Sequence, residues 1–301
     1  MGKRCLITGA TGLIGRYVVS LLKPDWELYL LVRSARDDGS DGIHYIRCDL
    51  ADAWDTDDFP KEIDAVIHLA QSEYFREFPA QGGQIFAVNT SSTVKLLEYG
   101  RCARAKTFVL ASSGGIYGDG KNDFREDDPF VIKKDLAFYL TTKLCSEVLA
   151  ESYASFMNII ILRFFFVYGP GQRTGMLIPR LVHEVNQGRP IFLHGQEGLK
   201  MNPTYVTDAA TAVYRSLDLA ESHKINVGGA EVLSLKEIGQ QIGQVLNKKP
   251  GFEIQEHIEP QHFIGDIRKM ATLLGYPSVK FKEGILKYVE WMNNEGYERH
   301  F

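Results

Sequence analysis

A doubly wound α/β fold, with a parallel sheet covered by helices on both faces, is what this 301-residue sequence predicts. Two observations carry the expectation. Through the first half, short and nearly continuous apolar runs alternate with longer stretches of helical periodicity. A glycine-rich turn also stands directly between the first apolar run and the first helical one. The apolar runs are RCLITG, ELYLLVR, IHYIRCD, DAVIHLA, TFVLASS and NIIILRFF. Strands covered on both faces have no solvent side, so they read as continuous rather than alternating. Helices are expected at about 13–22, 84–104 and 136–156.

After Tyr168 the rhythm changes. GPGQRTG reads as a loop, MLIPRLVHEVNQG as a helix closed by Gly188, and PIFLHG as a short strand. Further helices are expected at about 207–221, 234–247 and 283–295, with strands KINVGG and FEIQEHI between them. The expected division is therefore a domain over residues 1–165 and a smaller α/β lid over 166–301, interleaved with the first. Ligands on such a sheet bind beyond the carboxyl ends of the strands, so the residues just after each strand matter most.

Composition narrows the function. Hydrophobic residues make up 45% of the chain, which suits a large core, and the formal charge of -4 excludes no small molecule but gives a nucleic-acid or membrane-surface role no support. Lys248-Lys249 is a solvated pair on this reading. No apolar run approaches the roughly 20 residues of a membrane span. MGKRCLITGATG enters a strand at once and leaves no room for a signal peptide, and the Met1-Gly2 start lacks the exposed Ser/Thr context of a myristoylation signal. Four scattered cysteines, Cys5, Cys48, Cys102 and Cys145, show no metal-ligand spacing, so no metal is expected and reduced thiols in the cytoplasm are.

CLITGATGLIGRYVV is a strand, a turn and a helix start. Gly9, Gly12 and Gly15 form G-x-x-G-x-x-G, which permits a tight turn, close backbone approach to a pyrophosphate, and helix N–H groups facing its charge. Three glycines in a turn are weak evidence alone; between the first strand and an amphipathic helix they point to a dinucleotide. An acid at the end of the second strand would mark NAD, by accepting from the ribose 2′-hydroxyl. Here LLVRSAR offers Arg33, with Arg36 nearby, and a guanidinium suits a 2′-phosphate. NADP(H) is thus favoured, with NAD(H) the alternative and a surface arginine stacked on adenine the bland reading. Asp49 and Leu50 follow the third strand where an adenine edge would lie, although Asp49 also suits a helix cap.

ASSGGIYG follows the fifth strand, and YLTTK places Tyr139 and Lys143 four apart on one helix face. A phenol with a pKa near 10 is a poor base unless a cation favours its phenolate. Lys143 supplies that charge, and Ser113 would hydrogen-bond the reacting oxygen opposite Tyr139. The Tyr/Lys spacing is common by chance; its company here is not.

With these motifs the chain resembles the extended short-chain dehydrogenase/reductase family, in its NAD-dependent epimerase/dehydratase group, which acts mainly on nucleotide sugars. TGATGLIG, DAVIHLA, the helix carrying Asn89, ASSGGIYG, YLTTK, VYGPGQRTGMLIPRLV, TYVTDAATAV, INVGGAEVLSL and DIRKMATLLGYP all match its landmarks. The resemblance implies a Rossmann-type sheet, with Ser113, Tyr139 and Lys143 as catalytic residues. It implies cofactor contacts from Gly9, Thr11, Gly12, Leu13, Ile14 and Gly15, from the strand end Leu69 and Ala70, and from Phe165. Asn89 is similar to a helix residue that supports the trio, or is a satisfied buried amide; His68 is expected to be structural. A homodimer through the helices of Asn89 and Tyr139 is also implied.

Three departures bear on the reaction. The 4,6-dehydratases of the group place an acid pair after the catalytic hydroxyl residue, where this chain has Gly114 and Gly115. Elimination is thereby disfavoured, which leaves epimerisation, or reduction as the alternative; Gly114 is a substrate-side position. Relatives that bind nucleotide diphosphates carry asparagine in R-F-N-V-Y-G-P, and here the place is Phe166. Two phosphate-binding arginines are absent as well, with Lys200 in LKMNPTYVTD and His262 or Arg268 in EPQHFIGDIRK as substitutes. The expectation is a nicotinamide-dependent epimerase acting on a sugar or sugar nucleotide. A non-catalytic nucleotide sensor is the rival of another class, and retention of the Tyr/Lys pair argues against it.

Overall fold

The computed structural model describes residues 2–34, 42–118, 120, 123–130 and 137–295; Arg36 lies outside them. Its first part runs β1 (Lys3–Thr8), α1 (Leu13–Leu22), β2 (Trp26–Val32), β3 (Ile43–Arg47), β4 (Ala65–His68), α2 (Gly82–Phe86), α3 (Ser92–Cys102), β5 (Thr107–Ser113), α4 (Ala137–Glu151) and β6 (Asn158–Phe164). It continues with β7 (Val167–Tyr168), α5 (Leu177–Asn186), β8 (Pro190–His194), β9 (Lys200–Met201), β10 (Thr204–Tyr205), α6 (Val206–Ser216) and β11 (His223–Val227). The last elements are β12 (Leu233–Ser234), α7 (Leu235–Leu246), β13 (Gly251–Gln255), α8 (Arg268–Leu273) and α9 (Phe281–Glu295).

A seven-stranded sheet in the order β3-β2-β1-β4-β5-β6-β11 confirms the expected Rossmann-type architecture. The pairs β3–β2, β2–β1, β1–β4 and β4–β5 are parallel. Chain order reverses between β1 and β4, the switch point at which such sheets open a ligand crevice. All four residues of β4 are buried, as are the first six of β5, so both strands are covered on both faces. Leu6, Val66, Leu96, Leu97, Phe108 and Ile161 anchor one core cluster beneath them. Each such side chain contributes about 1.5–3 kcal/mol by leaving water.

Two expectations are corrected. KINVGG, expected within the smaller region, forms β11 and extends the central sheet beyond β6. Its burial pattern is that of a covered strand, and only the open edge of β6 could tell it where to pair. The helix expected over 84–104 is interrupted by a π-helical turn at Ala87–Ser91.

The chain divides into two compact units, the first of Met1–Ile116, Phe130–Arg163 and Ala210–Ile225, the second of Tyr117–Pro129, Phe164–Ala209 and Asn226–Phe301. The second contains three two-stranded sheets, β7–β10, β9–β12 and β8–β13. Its α7 starts on a capping box, in which the Ser234 hydroxyl accepts from Glu237 N–H (3.1 Å) and Glu237 accepts from Ser234 N–H (2.8 Å).

Candidate active site

The glycine turn is packed too closely for side chains. Gly9 has φ +69°, and a Cβ there would lie 2.7 Å from Ala70 N and 2.8 Å from Leu69 C. A Cβ on Gly15 would lie 2.1 Å from Gly9 O, so α1 rests directly on the turn. Gly12 caps α1 with no side-chain hydrogen bond, and the first turn holds no acid. Backbone N–H groups at that end, beside Thr11, Leu13 and Ile14, thus face outward with the positive end of the helix dipole, a fit for a pyrophosphate. Leu69 and Ala70, at the end of β4, pack against Gly9 as the motif order implies.

Beyond β2, the Arg33 guanidinium is paired with the Glu73 carboxylate, and Asp49 adds a second negative field. The Asp49 carboxylate itself accepts from Ala51 N–H (3.0 Å), closing a turn, while Leu50 is buried in the core cluster. Glu73 is an acid at the ribose end of the sheet that strand-by-strand reading does not find, because it comes from the loop after β4.

On α4, Tyr139 and Lys143 are both buried. Lys143 Nζ donates to Ala111 O (3.0 Å) on β5 and lies 6.0 Å from the Tyr139 ring centre. The Tyr139 hydroxyl donates to Gln71 Oε1 (3.1 Å). Burial pushes the phenol up to about 12, with the Ser113 hydroxyl pulling the other way. Burial likewise lowers Lys143 to about 8, opposed by the Glu147 carboxylate. Burial thus penalises the charged form of each residue. Ser113 ends β5, its hydroxyl accepting from Gly115 N–H (3.1 Å) in the 3₁₀ turn Gly114–Tyr117. The three residues expected to act together are therefore held in one unit, by one helix and one strand end.

Asn89 proves to be both satisfied and supportive. Its side chain accepts from Ser72 N–H (2.9 Å) and donates to Thr142 Oγ1 (2.9 Å), next to Lys143. The Asn89 carbonyl accepts from Thr93 Oγ1 (2.7 Å) and from Ser146 Oγ (2.7 Å) on α4. His68 is enclosed between Thr8 Oγ1 (2.7 Å) and Ser92 Oγ (3.2 Å), and burial lowers its pKa to about 3. It is neutral and structural. A base whose folded pKa lies below its unfolded value takes up its proton only on unfolding. Its contribution is thus complete above pH ~6.5 and is lost as pH falls toward the folded pKa. Stability should fall by about 1.4 kcal/mol per pH unit for this one proton. Urea melts of the native protein and of His68→Gln at stepped pH should show a shallower acid slope in the variant; equal slopes would remove His68 from the account.

The remaining sequence candidates lie in the second unit, except Gly114. Phe165 is core: its ring stacks on Tyr117 (6.2 Å) and its N–H donates to Val227 O (2.9 Å). Phe166 has φ +41°, an outlier for a bulky residue. Thr204 holds it there, its hydroxyl donating to Phe165 O (2.6 Å) and its N–H to Phe166 O (3.2 Å). The Phe166 ring meets Phe263 edge-on at 6.1 Å. Lys200 N–H donates to His262 Nδ1 (3.0 Å), so neutral His262 carries its proton on Nε2. Arg268, by contrast, is committed to Asp266, with Nε 2.9 and 3.0 Å from the two carboxylate oxygens.

Sequence reading missed Gln71, which is visible only as a polar residue just past a strand end. It also missed a buried trio of Ser112, Glu147 and Arg163. The signal was present: Arg163 interrupts an apolar strand, and Glu147 lies one turn beyond Lys143.

A buried Tyr/Lys pair facing a strand-end serine, on a doubly wound sheet with a glycine-rich first turn, belongs to enzymes that move hydride to and from a nicotinamide. This chain is an enzyme of that class, of the extended short-chain dehydrogenase/reductase type. The family model for the NAD dependent epimerase/dehydratase family matches residues 5–228, and the chain belongs to that family. It is 29% identical over 235 residues to a UDP-glucuronate 4-epimerase of Thermodesulfobacterium geofontis, covering 76% of this chain and 72% of the relative. Among solved structures, MoeE5 in complex with UDP-glucuronic acid and NAD superposes with a TM-score of 0.84 at 28% identity, over 97% of this chain and 100% of that one. The UDP-glucuronic acid 4-epimerase of Bacillus cereus, in complex with UDP-glucuronic acid and NAD, gives 0.84 at 25% identity with the same coverage.

Proposed function

We propose that the protein is an NAD-dependent epimerase that inverts a carbinol centre of a nucleotide-activated sugar. The observation that carries this reading is the buried Tyr139–Lys143 pair with Ser113 at the end of β5. NAD held there would supply a reversible hydride acceptor for the sugar carbon, so that the hydrogen can return to the opposite face. Gly9, Gly12 and the start of α1 would hold its pyrophosphate, and Lys143 its nicotinamide ribose. Tyr139 takes the proton from the sugar hydroxyl and returns it to the same oxygen, while Ser113 holds that oxygen in place. The phenol form, bonded to Gln71, is the one that returns the proton. No carboxylate stands at Gly114 or Gly115 to eliminate water, which supports epimerisation over dehydration. The neighbours' complexes with UDP-glucuronic acid make that compound the first substrate to try. The test is to incubate protein, catalytic NAD and UDP-glucuronic acid and to follow the sugar by NMR. A second epimer formed without net NADH supports the reading. Stoichiometric change in the cofactor would make the protein a reductase or dehydrogenase, and inert binding would make it a sensor.

Cofactor choice moves from NADP(H) to NAD(H) in this reading. A 2′-phosphate near Arg33 would also meet the Glu73 carboxylate, and the neighbours are bound to NAD. Titration of the apo-protein should therefore show NADH binding at least as tightly as NADPH. Glu73→Gln, by freeing Arg33, should improve NADPH affinity by about fivefold, the scale of about 1 kcal/mol for a partly exposed pair. NADPH binding tenfold tighter than NADH in the native protein would restore the NADP assignment.

Phe166 cannot donate to a diphosphate, so Lys200 and the His262 Nε2–H are the donors proposed to replace the missing amide. Asparagine tolerates positive φ better than phenylalanine. Phe166→Asn should thus fold normally and bind UDP-sugars more tightly, by up to about 1.5 kcal/mol for one added bond to a charged group. Calorimetry on both proteins decides; weaker binding by the variant would make Phe166 a productive wall of the site. A homodimer and a cytoplasmic location complete the reading. Exposed Val94 on α3 with Val148 and Leu149 on α4 support the first, to be checked by sedimentation, and four free thiols support the second.

A further inference from the structure

The catalytic helix is fastened to its strand by a second, wholly buried set of polar groups. Glu147 on α4 is 2% exposed, Arg163 on β6 0% and Ser112 on β5 5%. Arg163 donates to Glu147 through Nη2 (2.7 Å to Oε2) and through Nε (3.1 and 3.2 Å to the two oxygens). The Ser112 hydroxyl donates to Glu147 Oε1. Along α4, Tyr139, Lys143 and Glu147 succeed one another at four-residue intervals and form one stripe. Along β5, Ala111 receives Lys143 through its carbonyl, Ser112 reaches Glu147, and Ser113 bears on Tyr139. Three successive strand residues thus each meet one member of the helical stripe.

A buried ion pair is a poor device for stability, since desolvation offsets most of its attraction. Here it stands one helical turn from Lys143, the ammonium 6.0 Å from the Tyr139 ring centre. We propose that Glu147, held by Arg163 and Ser112, is a positioning residue for the reaction: its carboxylate keeps Lys143 an ammonium and keeps α4 in register with the Ser113 end of β5. The inference rests on the epimerase reading for its kinetic consequences, but not for its electrostatic one. The titratable and charged groups around Lys143 are Tyr139 and Glu147 on α4, His68 on β4, and Arg163 through Glu147. His68 is neutral, so the carboxylate is the group that opposes the desolvation of the ammonium.

The decisive comparison uses Glu147→Gln, Glu147→Asp and the double variant Glu147→Gln/Arg163→Met. Glu147→Gln takes the carboxylate away from the buried Arg163, and its loss of fold would be uninformative alone. The double variant removes both charges and keeps an oxygen for Ser112, so it separates stability from charge. NMR of protein carrying ¹³C-labelled lysine follows the Lys143 titration without any substrate. Its midpoint is expected to fall by about one pH unit in Glu147→Gln, the low end of the effect of one nearby opposite charge, and by less in the double variant, where the opposing Arg163 charge is gone as well. Turnover at pH 8 should fall by up to about fivefold, with its decline on the alkaline side beginning up to about one unit lower, while the substrate KM changes little. Glu147→Asp should restore the native titration in part. A double variant that folds and shows the native Lys143 midpoint and the native pH profile would reduce Glu147 to a structural anchor and overturn the proposal. If the native protein turns over no sugar nucleotide, the epimerase reading fails, and the lysine titration still decides this one.

Discussion

Replacing Tyr139 with phenylalanine is expected to lower turnover by about 10²–10⁴-fold, the usual scale for loss of a general acid or base. The substitution removes one oxygen and leaves the ring, so its contact with Phe75 (5.2 Å) persists. What is lost is the proton carrier between Gln71, Ser113 and the substrate oxygen. Burial makes the loss hard to replace, because bulk water does not reach a 9% exposed side chain as an alternative acid. NAD affinity should stay nearly unchanged, since the glycine turn and Lys143 are untouched. The effect should therefore lie in kcat rather than KM. A purified, folded Tyr139→Phe protein with native turnover would eliminate the mechanism.

Arg163→Met should destabilise the fold by about 3–5 kcal/mol, the range for removing one partner of a buried ion pair. Methionine fills much of the same volume, so the penalty comes from charge rather than from a cavity. Glu147 would keep only the Ser112 hydroxyl against a carboxylate otherwise cut off from water. The ring of Phe130, 5.0 Å from the guanidinium carbon, would lose its cation as well. Denaturant melts give the number directly. The double variant with Glu147→Gln should regain most of the loss, because no buried charge is then left without a partner. A single variant as stable as the native protein would mean that water or another cation reaches Glu147, and that the pair is not closed as the structure has it.

The end of β2 shows how a residue can stand where expected and still have its charge answered from elsewhere in the chain. Arg33 is where the end of β2 was expected to place it, but its charge is taken by Glu73, forty positions later in the chain. Phe166 likewise sits at the expected strand end, yet its backbone conformation is imposed by Thr204 from another hairpin-length away. The interrupted helix around Asn89 has no breaker in its sequence; the π turn is stabilised by Ser72, Thr142 and Ser146, none of which is a helical neighbour.

What the sequence by itself determined is what local physics controls. Apolar runs without polar alternation marked the covered strands, glycines between strand and helix marked the tight first turn, and a four-residue interval set Tyr139 above Lys143. Each depends on neighbours within a turn or a strand length, so a single chain displays it. Only the tertiary structure decided that β11 extends the central sheet, that Arg163 answers Glu147, that Glu73 pairs with Arg33 and that Gln71 accepts a hydrogen bond from the Tyr139 hydroxyl. Those pairings join residues 16 to 68 positions apart, and a charge or an open strand edge names no partner until packing has excluded water and all the others.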